Sequence, residues 1–347
     1  MVSLCESYVN MNYFSYMDGS IASQVAYKAG LHLLTHTTFL VIDKRIEKIR
    51  DNATQRGRDV TTKLVYDPSS GPMRYACGVS GSGTNYERIY ERNPATYHVV
   101  FSNAPGCKGM AKAMKNGAPV VALDSRRYFG DMWGIEKVPR YGVERNTYDM
   151  AIMTLVEQTV NGVPDLICLA GYDLWIGDWM ANRYFPRILN VHPGDARKYV
   201  GLGWRPAAKA ILAEEKGVKS TVFFVDASDD GGPVLIQSKS LPLSRWDGEL
   251  RDIRRFAEKK DARTLEQFRS AAQAEGNDLY KSLEKVSTTI QEVLREEGDW
   301  QIYPFAVHDL IGKGRVALDG RTVYIDGVKM PEEGWQVDGY GFADRIG

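Results

Sequence analysis

Cysteine is scarce in this chain: Cys5, Cys77, Cys107 and Cys168 are the whole complement of 347 residues, and no two form a CxxC pair. A disulfide scaffold and a zinc ribbon are therefore not expected, no metal site is read from the sequence, and a reducing, cytoplasmic setting fits. Net charge is missing too, since 44 basic residues meet 44 acidic ones. Bulk electrostatics then offers nothing to nucleic acid or to an anionic membrane, and any anion site has to be local. The apolar patches between His32 and Ile42 fall far short of a membrane span. The first residues show no basic segment followed by an apolar core, so no secretory leader is expected. Repeats and low-complexity tracts are absent, and histidines number only five: His32, His36, His98, His192 and His308.

What is present is ordinary for a globular protein, with 44% hydrophobic and 25% charged residues, in a length that buries a core in one large domain or two. Residues 1–72 read as a helical N-terminal extension, with helices from Ser20 to about Leu34 and from Thr37 to about Gly57, then a short strand at Thr62–Tyr66. From Arg74 the rhythm changes. Strands at Tyr75–Val79, His98–Phe101, Pro119–Leu123 and Leu166–Ala170 alternate with helices starting near Tyr86, Gly109 and Tyr148. That alternation predicts an α/β fold, a doubly wound and mostly parallel sheet with helices on both faces, whose ligands sit beyond the carboxyl ends of the strands. Between about Ser244 and Asp299 a highly charged stretch has one apolar face at Leu279, Leu283, Val286, Ile290 and Val293, read as an inserted helical hairpin. Gly314–Gly327 reads as a β-hairpin turning at Asp319-Gly320.

The chemistry concentrates in Ile188-Leu-Asn190-Val-His192-Pro193. A strand ending in Asn-x-His turns both polar side chains to one face, because alternate strand residues share a side. Asp230, in the turn Asp230-Gly-Gly-Pro233, is a carboxylate that a loop can deliver to His192, orienting the ring and stabilising its protonated form. The Asn190 amide is left to donate to an oxyanion. No serine or cysteine stands beside them as a nucleophile, which suits acyl transfer to a substrate's own amine. Taken alone, Asn190 also reads as a turn residue and His192 as a satisfied histidine. Upstream, Val79-Ser-Gly-Ser-Gly-Thr-Asn-Tyr86 joins a strand to a helix, where backbone N–H groups can hold a phosphate. It lacks the third glycine of a dinucleotide fingerprint and the Gly-Lys-Ser/Thr of a P-loop, so a plain tight turn is an equal reading.

Asn190-Val-His192-Pro, Lys198-Tyr-Val-Gly-Leu202, the Ser220–Asp226 strand and Asp230-Gly-Gly-Pro-Val-Leu-Ile-Gln237 occur in an order and spacing that resembles the folate-dependent formyltransferases. Within them the chain looks most like the branch that formylates the amine of glycinamide ribonucleotide with 10-formyltetrahydrofolate. The likeness runs from about Arg74 to Leu243 and from about Asp299 to Trp335. It implies a formyltransferase domain over 73–243 and 299–347, with 244–298 inserted. It further implies Asn190, His192 and Asp230 as catalytic residues, and Gly83, Thr84 and Asn85 as the phosphate cradle. Gly201 then approaches the acceptor and Asp299 holds its ribose. Leu174, Trp175 and Ile176 form one wall of the folate pocket, with Asp226 and Ala227 on the other.

The chain departs from the family pattern at Leu174, where an arginine is usual, at Gly194-Asp-Ala-Arg197, and at Gly203 and Phe223, where histidines are usual. These changes bear on the acceptor. Another phosphorylated amine, an amino sugar, hydrolysis of the formyl donor, or a non-catalytic folate or nucleotide sensor stay open as alternatives. A homodimer contact or an extra wall over the site is an equal reading of residues 1–72.

Overall fold

The computed structural model describes residues 62–130, 141–228 and 232–337. The two expected N-terminal helices lie outside these residues, and so does Asp230.

Eight strands form the main sheet: β1 (Tyr75–Val79), β2 (His98–Ser102), β3 (Val120–Ala122), β4 (Leu166–Leu169), β5 (Ile188–His192), β6 (Thr221–Phe224), β7 (Val234–Gln237) and β8 (Trp335–Gln336). Their order is β8-β7-β6-β5-β4-β1-β2-β3. From β3 to β5 every pairing is parallel, while β6 runs antiparallel to both β5 and β7. The expected parallel sheet thus carries an antiparallel extension. The order reverses direction between β1 and β4, and ligands of open α/β sheets sit at such a switch point.

The inner strands are largely buried on both faces, which is why runs such as Tyr75–Val79 and Leu166–Leu169 read as apolar throughout. Tyr75, Cys77 and Val79 of β1 pack on one side with Ile89 and Tyr303, and Ala76 packs on the other with Tyr148, Ile152 and Val156. Helices α1 (Thr84–Arg92), α2 (Lys108–Lys115), α3 (Val143–Thr159), α4 (Asp178–Tyr184) and α5 (Arg205–Leu212) follow the strands in turn.

The charged stretch folds as three helices, α6 (Asp247–Lys260), α7 (Leu265–Ala274) and α8 (Leu279–Leu294), where two were expected. The extra break is at Thr264, whose hydroxyl and Gln267 form a reciprocal cap that starts α7. Leu283, Val286 and Ile290 of the expected apolar face are buried in a separate core with Leu250, Phe268 and Ile211 of α5. The short strand near residue 62 also exists, as Lys63–Leu64, and pairs antiparallel with Val316–Asp319 of the C-terminal hairpin. In that hairpin Asp319 pairs with Thr322, so the turn consists of Gly320 and Arg321, one residue later than expected.

Candidate active site

The ends of β4 and β5 open into a cleft of about 750 Å³, its mouth included, lined by Asn190, His192, Gly201, Phe223 and the two facing segments at 172–178 and 225–228. Leu174, Trp175, Ile176, Asp226 and Ala227 all line it. The chain therefore brings the expected Asn and His together with both expected walls.

Asn190 and His192 are alternate residues at the end of β5, opposite Phe223 and Thr221 of β6. The Val191 N–H donates to Asn190 Oδ1 at 2.9 Å, which occupies the amide oxygen and leaves its NH2 group available in the cleft. His192 Nε2 lies 2.7 Å from the carbonyl oxygen of Tyr199. A carbonyl only accepts, so Nε2 carries the proton and the neutral ring keeps its lone pair on Nδ1. Burial pushes the His192 pKa below its ordinary value, partly offset by the Tyr199 carbonyl and by Asp195. The resting ring is neutral near pH 7, whereas the sequence reading drew on its protonated form; an imidazolium here has to arise by proton transfer during a reaction. Tyr199 belongs to the Lys198–Leu202 run, but a backbone acceptor leaves no signature in a sequence.

The 172–178 wall is held from behind by α3. Arg145 and Asp149 form a fully buried ion pair one helical turn apart. Asp149 Oδ2 takes the Gly177 N–H at 2.5 Å, and Asn146 Oδ1 takes the Trp179 N–H at 3.2 Å. Burial raises the Asp149 pKa, and the Arg145 charge and the Gly177 amide oppose that. Residues so spaced read in sequence as a solvated surface pair, so nothing marked them as the brace of a binding wall. The Asp226 side chain is committed to the Ser228 N–H at 2.9 Å and to Arg321.

Gly83, Thr84 and Asn85 start α1 and do not line this cleft, yet the two regions are joined. Ser80 N–H donates to the Gly171 carbonyl at 2.9 Å, Asp173 N–H to Ser80 Oγ at 2.9 Å, and Asn103 Nδ2 to Asp173 Oδ1 at 2.9 Å. Any shift in one loop is thereby felt by the other. Gly83 has φ +65°, and a Cβ there would come within 2.4 Å of the Gly109 Cα. Gly83→Ala is therefore expected to destabilise the fold by about 2 kcal/mol or more. Gly81→Ala, whose Cβ would meet nothing within 4 Å, serves as the control. Equal melting temperatures for the two variants would refute this reading of the loop.

Asn85 is buried, with Nδ2 3.4 Å from Asp299 Oδ2 and with no partner for Oδ1 among the described residues. Ser220 Oγ donates to the other Asp299 oxygen at 2.5 Å. Burial lifts the Asp299 carboxyl to about 6, while Ser220, Asn85 and the charge of Arg295 pull it down. Asp299 is thus a brace for Asn85 from the far end of the chain. Arg295, whose buried Nε has no partner among the described residues, is a cation beside this region that its place in the expected insertion hides in the sequence.

Residues 73–262, more than half of the 347, match the formyl transferase family. The chain is 25% identical over 262 residues to the phosphoribosylglycinamide formyltransferase of Haemophilus influenzae, covering 74% of this chain and 95% of that one. It is 23% identical over 265 residues to the Escherichia coli enzyme of the same name, covering 75% and 97%. Among solved structures, phosphoribosylglycinamide formyltransferase from Coxiella burnetii aligns with a TM-score of 0.51 at 21% identity, covering 77% of this chain and 99% of that one. This last likeness concerns the fold. With the match running over more than half of its length, the chain belongs to the formyl transferase family.

Proposed function

We propose that this enzyme transfers the formyl group of 10-formyltetrahydrofolate to the amine of glycinamide ribonucleotide, a step of purine biosynthesis. The observation that carries the reading is the pairing, in one cleft, of an amide NH2 with no acceptor among the described residues and a neutral imidazole whose tautomer is fixed.

In this scheme the donor's ring lies between the 174–176 and 226–227 walls. The acceptor's phosphate rests on the N–H groups at Gly83, Thr84 and Asn85, with the helix dipole in its favour and Arg295 as a nearby cation. Gly201, whose φ of +137° is open to glycine, brings its backbone to the cleft edge where the acceptor enters. As the amine attacks the formyl carbon, the Asn190 NH2 group donates to the developing oxyanion. His192 Nδ1 takes the amine proton, and Asp230 stabilises the resulting imidazolium and relays that proton to the departing nitrogen. The imidazolium then adds its own charge to the stabilisation of the tetrahedral intermediate. Each turnover moves one proton from amine to leaving group, and none is consumed.

Absorbance change on conversion of 10-formyltetrahydrofolate to tetrahydrofolate tests the proposal. Turnover is expected only with glycinamide ribonucleotide present. Turnover without an acceptor would replace this reading by hydrolysis of the donor, and no turnover in either case would exclude this acceptor.

A further inference from the structure

Three described carboxylates line the cleft: Asp173, Asp178 and Asp226. Asp173 accepts from Asn103 and Asp226 from Ser228 and Arg321. Asp178 differs. Its Oδ1 is buried and no donor among the described residues reaches it. A buried carboxylate oxygen without a donor is costly enough that it calls for an occupant. The start of a short helix eases the negative charge of Asp178 but gives Oδ1 no hydrogen bond.

The backbone on either side of Asp178 is anchored. The N–H of Gly177, the residue before it, is held by Asp149 at 2.5 Å, and the N–H of Trp179, the residue after it, by Asn146 at 3.2 Å. Asp149 is itself locked to Arg145, with both side chains buried. Asp178 is therefore carried on a braced backbone before any ligand arrives, and preorganisation of this kind is what gives a single hydrogen bond its selectivity.

We propose that Asp178 is a specificity-determining residue for the one-carbon donor, its free carboxylate oxygen accepting an N–H from the 2-aminopyrimidin-4-one edge of the donor's ring. That edge carries adjacent N–H groups, the complement of a carboxylate. The inference rests on the reading of this cleft as the donor pocket and adds the group that recognises the ring. A ring without the amino group leaves Oδ1 unpaired, which is the kind of mismatch a polar site rejects strongly.

The test uses a tetrahydrofolate analogue with carbon in place of N10, which cannot donate a formyl group, and its 2-desamino-2-methyl counterpart. Both are titrated by calorimetry into the full-length wild type, Asp178→Ala and Asp178→Asn. The wild type is expected to prefer the 2-amino ligand by about tenfold to a hundredfold. In Asp178→Ala the preference collapses to within about threefold, and in Asp178→Asn, which keeps an oxygen but not the charge, it is intermediate. The KM for the phosphorylated acceptor is unchanged in both variants. A variant that weakens both ligands equally, or keeps the full preference, overturns the role of Asp178 and leaves the donor pocket standing. A wild type that binds neither ligand overturns the donor pocket, and this proposal with it.

Discussion

Asn190→Ala is expected to lower kcat by about a hundredfold to a thousandfold, roughly 3–4 kcal/mol of transition-state stabilisation, with little change in KM for either substrate. The Val191 N–H holds Asn190 Oδ1, and the amide NH2 has no acceptor among the described residues. In the proposed mechanism it donates only when charge develops on the formyl oxygen, so its loss belongs in kcat. Asn190→Asp separates this role from a structural one. Aspartate keeps an oxygen for the Val191 N–H and so preserves the local backbone, but it removes the donor and puts a negative charge where an oxyanion forms. It is expected to be at least as slow as the alanine variant while melting closer to the wild type. An aspartate variant that regains activity would show that Asn190 serves the fold of β5 rather than the reaction, and steady-state kinetics beside thermal denaturation decides it.

The parts of this site that sequence makes legible are those where one residue type does one job in one strand or turn. Asn190 and His192 share a face because strands alternate, and Gly83 stands where a left-handed residue crosses another backbone. The sheet was legible for the same reason: runs such as Tyr75–Val79 are apolar throughout, which only burial on both faces explains. What sequence left unread depends on contacts between distant segments. Asp299 lies 214 positions from Asn85 yet braces it, and Ser80 lies 93 positions from Asp173 yet ties the two loops. Arg145 and Asp149 have the spacing of an exposed helix pair, and only the packing of α3 beneath the 172–178 wall puts them in the interior. The antiparallel run of β6 was hidden too, because its four residues are buried as completely as those of a parallel strand.

Asp230→Asn is expected to cost on the order of 3 kcal/mol or more in kcat/KM, at least a hundredfold. His192 supplies the reason. Burial holds its pKa below the ordinary histidine value, so in the free enzyme the ring is neutral and able to accept a proton near pH 7. The imidazolium that follows is disfavoured by the same burial, and in the proposed mechanism the Asp230 carboxylate offsets that. Removing the charge destabilises the imidazolium, and with it the transition state, while the ground-state ring stays neutral. The pH dependence separates this from a general loss of structure. Protonation of His192 in the free enzyme shuts off the base, so kcat/KM falls on the acid side with an apparent pKa below 6.5. Without the Asp230 carboxylate the protonated ring is less stable still, and the acid limb moves to lower pH even as the plateau drops. Profiles of kcat/KM between pH 4.5 and 8 for wild type and variant check both shifts. A lower plateau with an unmoved limb would mean that Asp230 does not act through His192, and a limb moving to higher pH would reverse the sign of the interaction assigned to it.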